Sequence, residues 1–196
     1  MPRGNTVNAV ISRPAKVNRV YLALGANVAG LWGTPRQSLQ RACRELQNAG
    51  LQIVSRSNQY LTEPVGAGGQ PRYLNMVLAV TASIAPGSLL RLLKRMERQA
   101  GRRQGARMSA RPLDIDILDF GGRRVSARAS RRQLGQLVLP HPELRGRAFV
   151  LQPLRDVAPN WQDPVTKRSV TALLARLSPK ARAGVTLDSA GNSCRS

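Results

Sequence analysis

At 196 residues and 42% hydrophobic content, the chain can bury one good core rather than two, and is expected to form a single domain with ragged ends. Its longest apolar runs, such as residues 76–80 and 149–151, fall far short of the roughly 20 residues that span a bilayer, and Cys43 and Cys194 alone exclude a disulfide framework or a cysteine metal site. The formal charge of +21, almost all from arginine, attracts polyanions, yet only seven Phe, Trp and Tyr residues are available to stack on nucleic-acid bases.

Basic residues Arg3, Arg13, Lys16 and Arg19 are followed by no apolar core of signal-peptide length, so residues 1–18 are read as an extension and the protein as cytoplasmic. Arg19-Val-Tyr-Leu-Ala-Leu-Gly25 alternates like a strand, with Val20, Leu22 and Leu24 on one face. Thr34-Pro35 supplies an N-cap and a first-turn proline. The next helix aligns Leu39, Ala42, Cys43 and Leu46, and Gly50 stops it. Residues 51–60 return as a strand. The stretch from Glu63 to Pro71 is too rich in Gly and Pro to be regular, and residues 73–81 alternate again. On that strand Tyr73 and Asn75 share a face with Val77 and Ala79. Pro86 opens a second helix whose stripe of Leu89, Leu92, Leu93, Met96 and Ala100 is core. Gly101 ends it.

Arg111-Pro-Leu-Asp-Ile-Asp-Ile-Leu-Asp-Phe120 then reads as one buried strand. Alternation places Asp114 and Asp116 on a face with Leu118 and Phe120, opposite Leu113, Ile115 and Ile117. Two neighbouring carboxylates resist burial unless a cation or proton sits between them. An i, i+2 pair spans roughly 7 Å, which suits one or two Mg2+ ions that also hold substrate phosphates. The plain alternative is a polar strand face that meets water. Arg111 and the Gly- and Arg-containing segment before it favour phosphate chemistry.

The order strand, helix, strand, strand, helix, strand is that of an α+β, ferredoxin-like βαββαβ sandwich, both helices on one face of an antiparallel sheet. The other face is expected to carry polar side chains. Beyond Gly121, Arg123, Arg124, Arg128, Arg131 and Arg132 suggest a solvated hairpin or loop. A short amphipathic helix is expected over residues 170–177, with 178–196 a polar tail, so the domain is read as 19–177.

Together these segments resemble the 6-hydroxymethyl-7,8-dihydropterin pyrophosphokinase family. The matching pieces are Leu24-Gly-Ala-Asn27, Tyr60-Leu-Thr-Glu-Pro-Val-Gly66, Gln70-Pro-Arg-Tyr-Leu-Asn75, Glu97 with Gly101-Arg102, Arg111-Pro-Leu-Asp-Ile-Asp116, Pro140-His-Pro142 and Arg147-Ala-Phe149. The resemblance implies Mg-dependent transfer of pyrophosphate from ATP to a reduced pterin alcohol in folate biosynthesis, with release of AMP. It implies that Asp114 and Asp116 bind two Mg2+ ions, that Thr62, Val65, Tyr73, Asn75 and Phe149 hold the pterin, and that Glu97, Arg102, Arg111, Ile117, His141 and Arg147 serve ATP. Arg102 and Arg111 join the two aspartates as catalytic residues.

The chain departs from many members at Ala26 (serine), at Met108-Ser-Ala110 (Trp-Gly-Pro), at Pro142, at Gln136 and at Lys94. These departures motivate an alternative: a catalytically impaired relative that binds pterin or nucleotide. A second alternative is a basic ferredoxin-like nucleic-acid binder, which the scarcity of aromatics disfavours beyond non-specific contact. The expected partners are ATP and the pterin; no membrane is expected, and the chain is expected to be a monomer.

Overall fold

A computed structural model describes residues 17–64, 69–102, 110–126 and 137–189. The six described strands form one sheet. The first is β1 (Asn18–Ala26), which leads into helix α1 (Pro35–Asn48); then come β2 (Gln52–Arg56), β3 (Tyr60–Thr62) and β4 (Tyr73–Ala82). Helix α2 (Pro86–Gln99) and β5 (Asp114–Phe120) complete the sandwich expected from sequence. A 3-10 turn (Leu144–Gly146) comes next, then helices α3 (Ala148–Val157), α4 (Val170–Ala175) and α5 (Pro179–Ala183), and strand β6 (Val185–Leu187). The strand order is β5-β1-β4-β3-β6, every pairing antiparallel, and β2 lies on the same edge of β4 as β3.

Local sequence explains where these elements begin. The Thr34 hydroxyl accepts from the Gln37 amide while the Gln37 side chain accepts from the Thr34 amide, a reciprocal cap that satisfies donors a helix start leaves open. At the other end Gly50, at φ +85°, takes the left-handed conformation that terminates α1. Leu39, Ala42 and Leu46 of α1 and Leu89, Leu93 and Met96 of α2 pack on Val20, Leu22, Leu24, Leu78, Val80, Ile115 and Ile117. Each large aliphatic side chain buried this way contributes ~1.5–3 kcal/mol.

The structure corrects four expectations. Residues 51–60 form two strands, because the Ser57 hydroxyl accepts from the Val77 amide and breaks the alternation between β2 and β3. The second sheet face is not simply polar: α3 and α4 cover much of it, packing Val150, Leu151, Leu154, Val170 and Leu173 against Tyr21, Val77, Ala79 and Leu118. Pro153 inside α3 hides that helix from a propensity reading. Phe120 lies on the helix side of the sheet rather than beside the aspartates. The register explains it: Ile117 opposes Leu22 but Asp119 opposes Tyr21, so Leu118 is an extra residue in a bulge that turns Asp119 and Phe120 to opposite faces from those simple alternation assigns. Finally, residues beyond 178 include α5 and β6, and β6 pairs with β3.

Candidate active site

Three rows of side chains cross this second face of the sheet. Gly25 of β1 opposes both Asn75 of β4 and Asp114 of β5. In the next row Ala23 opposes Val77 and Asp116; in the third Tyr21 opposes Ala79 and Asp119. Small residues in the middle strand leave the first two rows open. A Cβ at Gly25 would come within 3.3 Å of Asn75 Oδ1, so the bare glycine is the floor of a cavity. That cavity holds about 170 Å³, and Thr62, Tyr73, Asn75, Arg111, Asp114, Asp116, His141, Arg147 and Phe149 all line it. Asn75 and Asp114 are thereby held about two strand spacings apart, roughly 10 Å.

One wall is shaped for a flat polar molecule. Asn75 Nδ2 donates to Thr62 Oγ1 at 3.0 Å, which orients the amide and leaves Oδ1 over the glycine floor. Phe149 enters from the start of α3, and the Arg147 guanidinium lies 5.5 Å from its ring centroid.

The opposite wall is charged. Asp114 accepts from Arg102 at 2.5 Å and from Arg111. Burial pushes its carboxyl upward, but Arg111 and Arg102 outweigh that and hold it below the usual carboxylate range. It is an anion whose charge is already matched. Arg102 also pairs with Glu97 at 2.7 Å, and Glu97 accepts from Lys94 at 2.8 Å and from the Ile115 amide at 2.9 Å. Burial raises the Glu97 carboxyl above its ordinary value. His141 Nε2 stands 3.8 Å from Asp116 Oδ2. The Glu143 amide donates to His141 Nδ1 at 3.3 Å, so the neutral ring carries its proton on Nε2, facing Asp116. Burial lowers the His141 pKa and Asp116 only partly opposes it.

Of the residues expected from sequence, Thr62, Tyr73, Asn75, Arg111, Asp114, Asp116, His141, Arg147 and Phe149 converge on this cavity. Arg102 reaches it through Asp114. Glu97 does not line it: at 2% exposure it lies behind Asp114 and secures Arg102 and β5. The side chain of Ile117, 3% exposed, belongs to the helix-side core. Val65, Met108 and Gln136 lie outside the described residues. Sequence reasoning missed the openings left by Gly25 and Ala23, whose meaning depends on the strands beside them. It gave no role to Asn27, quoted only as the end of Leu24-Gly-Ala-Asn27, which is 3% exposed and joins Arg111 to Pro71. An asparagine directly after a strand that ends in Gly-Ala was the available signal.

Among the described residues no three His, Cys, Asp or Glu side chains cluster as a complete metal cage. The donor set nonetheless fits Mg2+, which takes one or two carboxylates and completes its shell with phosphate oxygens and water. Asp114 and Asp116 offer two hard carboxylate donors on one wall of the cavity.

Comparison with known proteins identifies the family. Residues 21–159 match the family model described as 7,8-dihydro-6-hydroxymethylpterin-pyrophosphokinase. A 2-amino-4-hydroxy-6-hydroxymethyldihydropteridine pyrophosphokinase of Pseudomonas aeruginosa is 37% identical over 76% of this chain and 85% of its own length. One from Methylorubrum extorquens is 35% identical over 83% of this chain and 96% of its own. The mitochondrial folate synthesis bifunctional protein of Arabidopsis thaliana is 36% identical over 71% of this chain, which spans only 23% of that larger protein. Among solved structures, wild-type Plasmodium falciparum HPPK-DHPS with pteroate superposes with a TM-score of 0.62 at 15% identity, over 85% of this chain and 45% of that one, a likeness of fold. With most of the chain matched and full-length relatives above 30% identity, this protein belongs to the 7,8-dihydro-6-hydroxymethylpterin-pyrophosphokinase family.

Proposed function

We propose that this chain transfers the pyrophosphoryl group of ATP to 6-hydroxymethyl-7,8-dihydropterin, releasing AMP, as a step of folate biosynthesis. The observation that carries the reading is the cross-strand row Asn75, Gly25, Asp114, which sets a heterocycle-binding amide and a phosphate-side carboxylate on one open floor. Family membership supports the same reaction.

The pterin edge pairs with Asn75 Oδ1 and the backbone around Thr62, while Phe149 and Tyr73 bound its faces. This places the hydroxymethyl oxygen toward the β5 wall. Asp114 and Asp116 would hold Mg2+, which would neutralise phosphate charge and help activate the attacking hydroxyl. Arg102 and Arg111 pair with Asp114 and carry forked donors that suit phosphate oxygens. His141, with its Nε2 proton facing the cavity, and Arg147 donate to the nucleotide side. The chemistry asks mainly for alignment and charge neutralisation, so no dedicated base is needed. As the pterin oxygen bonds to the β-phosphorus, the bond to the α,β-bridging oxygen breaks, AMP carries that oxygen away, and the hydroxyl proton passes to solvent.

We read the enzyme as a cytoplasmic monomer; among the described residues no helix is long and apolar enough to cross a membrane. Incubating purified protein with MgATP and the reduced pterin, followed by detection of AMP, tests the reading. Pterin binding without AMP would instead identify a catalytically impaired relative.

A further inference from the structure

Strand β6 lies outside the part of the chain that matches the family, yet it is built into the pterin side of the site. It pairs with β3 in the register Tyr60↔Leu187, Leu61↔Thr186 and Thr62↔Val185, and Thr62 is the residue that orients Asn75. Side-chain links to α1 and to the start of β4 also hold this strand. Asp188, 6% exposed, accepts from Arg36 of α1 at 2.6 Å, while its amide donates to the Gln59 carbonyl at 2.8 Å and Arg36 also donates to Gln59 Oε1 at 3.0 Å. Arg72, just before β4, donates to Thr186 Oγ1 at 2.9 Å and pairs with Glu63, just after β3, at 2.9 Å. Glu63 lines the cavity. The residues on either side of the β3–β4 connection are thus tied to each other and to β6.

From this arrangement we propose that residues 185–188 act as a clasp on the pterin subsite, with Arg36, Arg72, Thr186 and Asp188 as positioning residues. The inference rests on the pterin reading of the cavity. A three-residue strand such as β3 has few ladder bonds of its own, and β6 doubles its pairing beyond β4. The carboxylate of Asp188 is sheltered and needs its arginine; once Arg36 is engaged, the end of β6 is pinned to α1. Thr62 and Glu63 are thereby held against motion away from β4. None of these four side chains lines the cavity, so their effect passes through Thr62, Asn75 and Glu63.

The test compares the full-length wild type with Asp188→Ala, Arg72→Ala and the charge exchange Arg36→Asp/Asp188→Arg. It measures reduced-pterin affinity by titration, KM for each substrate, kcat and melting temperature. Asp188→Ala and Arg72→Ala are expected to weaken pterin affinity and raise its KM about tenfold, with the KM for ATP and kcat changed by less than about twofold. The exchange is expected to restore pterin affinity. Arg72 is partly exposed and its loss uncovers no buried charge, so this variant keeps the test valid if Asp188→Ala does not fold. Unchanged pterin affinity in Arg72→Ala, or equal losses for both substrates, overturns the clasp. Wild-type protein that forms no AMP would instead strike the pyrophosphokinase reading, and the pterin titrations would still judge the clasp.

Discussion

Asn27 accepts a hydrogen bond from the backbone amide of Arg111 at 2.7 Å, and its own amide nitrogen donates across the cavity mouth to Gln70 Oε1 and the Pro71 carbonyl, each at 3.3 Å. One buried side chain therefore joins the connection that leads to the pterin wall with the residue that opens the charged wall. Replacing it by alanine leaves the Arg111 amide without this acceptor. Asn27→Ala is expected to lose ~1–3 kcal/mol of stability, the cost of stranding a buried polar partner, and to impair use of both substrates. Urea unfolding and separate KM measurements check this; a loss confined to one substrate would contradict the bridging role.

Gly25 makes a sharper test because its backbone is ordinary strand and only space is at stake. Gly25→Ala puts a methyl group 3.3 Å from Asn75 Oδ1 on the cavity floor. Removing a strand glycine gains ~0.5–1 kcal/mol in its own right, so the melting temperature is expected to hold or rise. The KM for the pterin is expected to rise about tenfold, the scale of losing a well-paired polar contact. Steady-state kinetics with calorimetry would show the divergence.

Asp116→Ala is expected to fold normally yet lose roughly a hundredfold in turnover, the scale for removing a principal electrostatic stabiliser. A chelator is expected to abolish AMP formation by the wild type, and added Mg2+ to restore it. Undiminished Mg-dependent turnover in the variant would remove Asp116 from the metal role. Circular dichroism of the variant separates lost chemistry from lost structure.

Away from the site, Asp163 sets an acid limit on stability. Burial pushes its carboxyl upward, but Arg145, the Thr166 hydroxyl and the amides of Val165 and Thr166 outweigh burial and hold it well below the usual carboxylate range. Because it ionises at lower pH when folded than when unfolded, its contribution is complete above about pH 4 and fades as pH falls through the folded-state value. Stability is therefore expected to rise with pH across that acid window. In Asp163→Asn the rise is expected to be shallower, with a loss of about 3 kcal/mol near neutrality from breaking a buried ion pair. Chemical denaturation at a series of pH values measures both.

Local order along the chain determined much of this protein. The i, i+3, i+4 apolar spacing of Leu39, Ala42, Cys43 and Leu46 and the alternation through Asp114 and Asp116 are properties of neighbouring residues, so α1, α2 and the charged face of β5 were legible directly. The cap at Thr34 was too. The same locality explains why Tyr73 and Asn75 share one face of β4, and Asp114 and Asp116 one face of β5. What only the tertiary structure decided is non-local. Whether Gly25 ends a strand or opens a floor depends on Asn75 and Asp114 arriving on either side of it. Whether Glu97 meets substrate or braces Arg102 depends on how closely α2 packs on β5. The turn of Phe120 to the other face needs the bulge at Leu118, and the roles of α3 and β6 need the sheet surfaces they cover. Strand alternation tells a side chain which way to point; only register and packing, set by distant parts of the chain meeting, tell it what stands opposite.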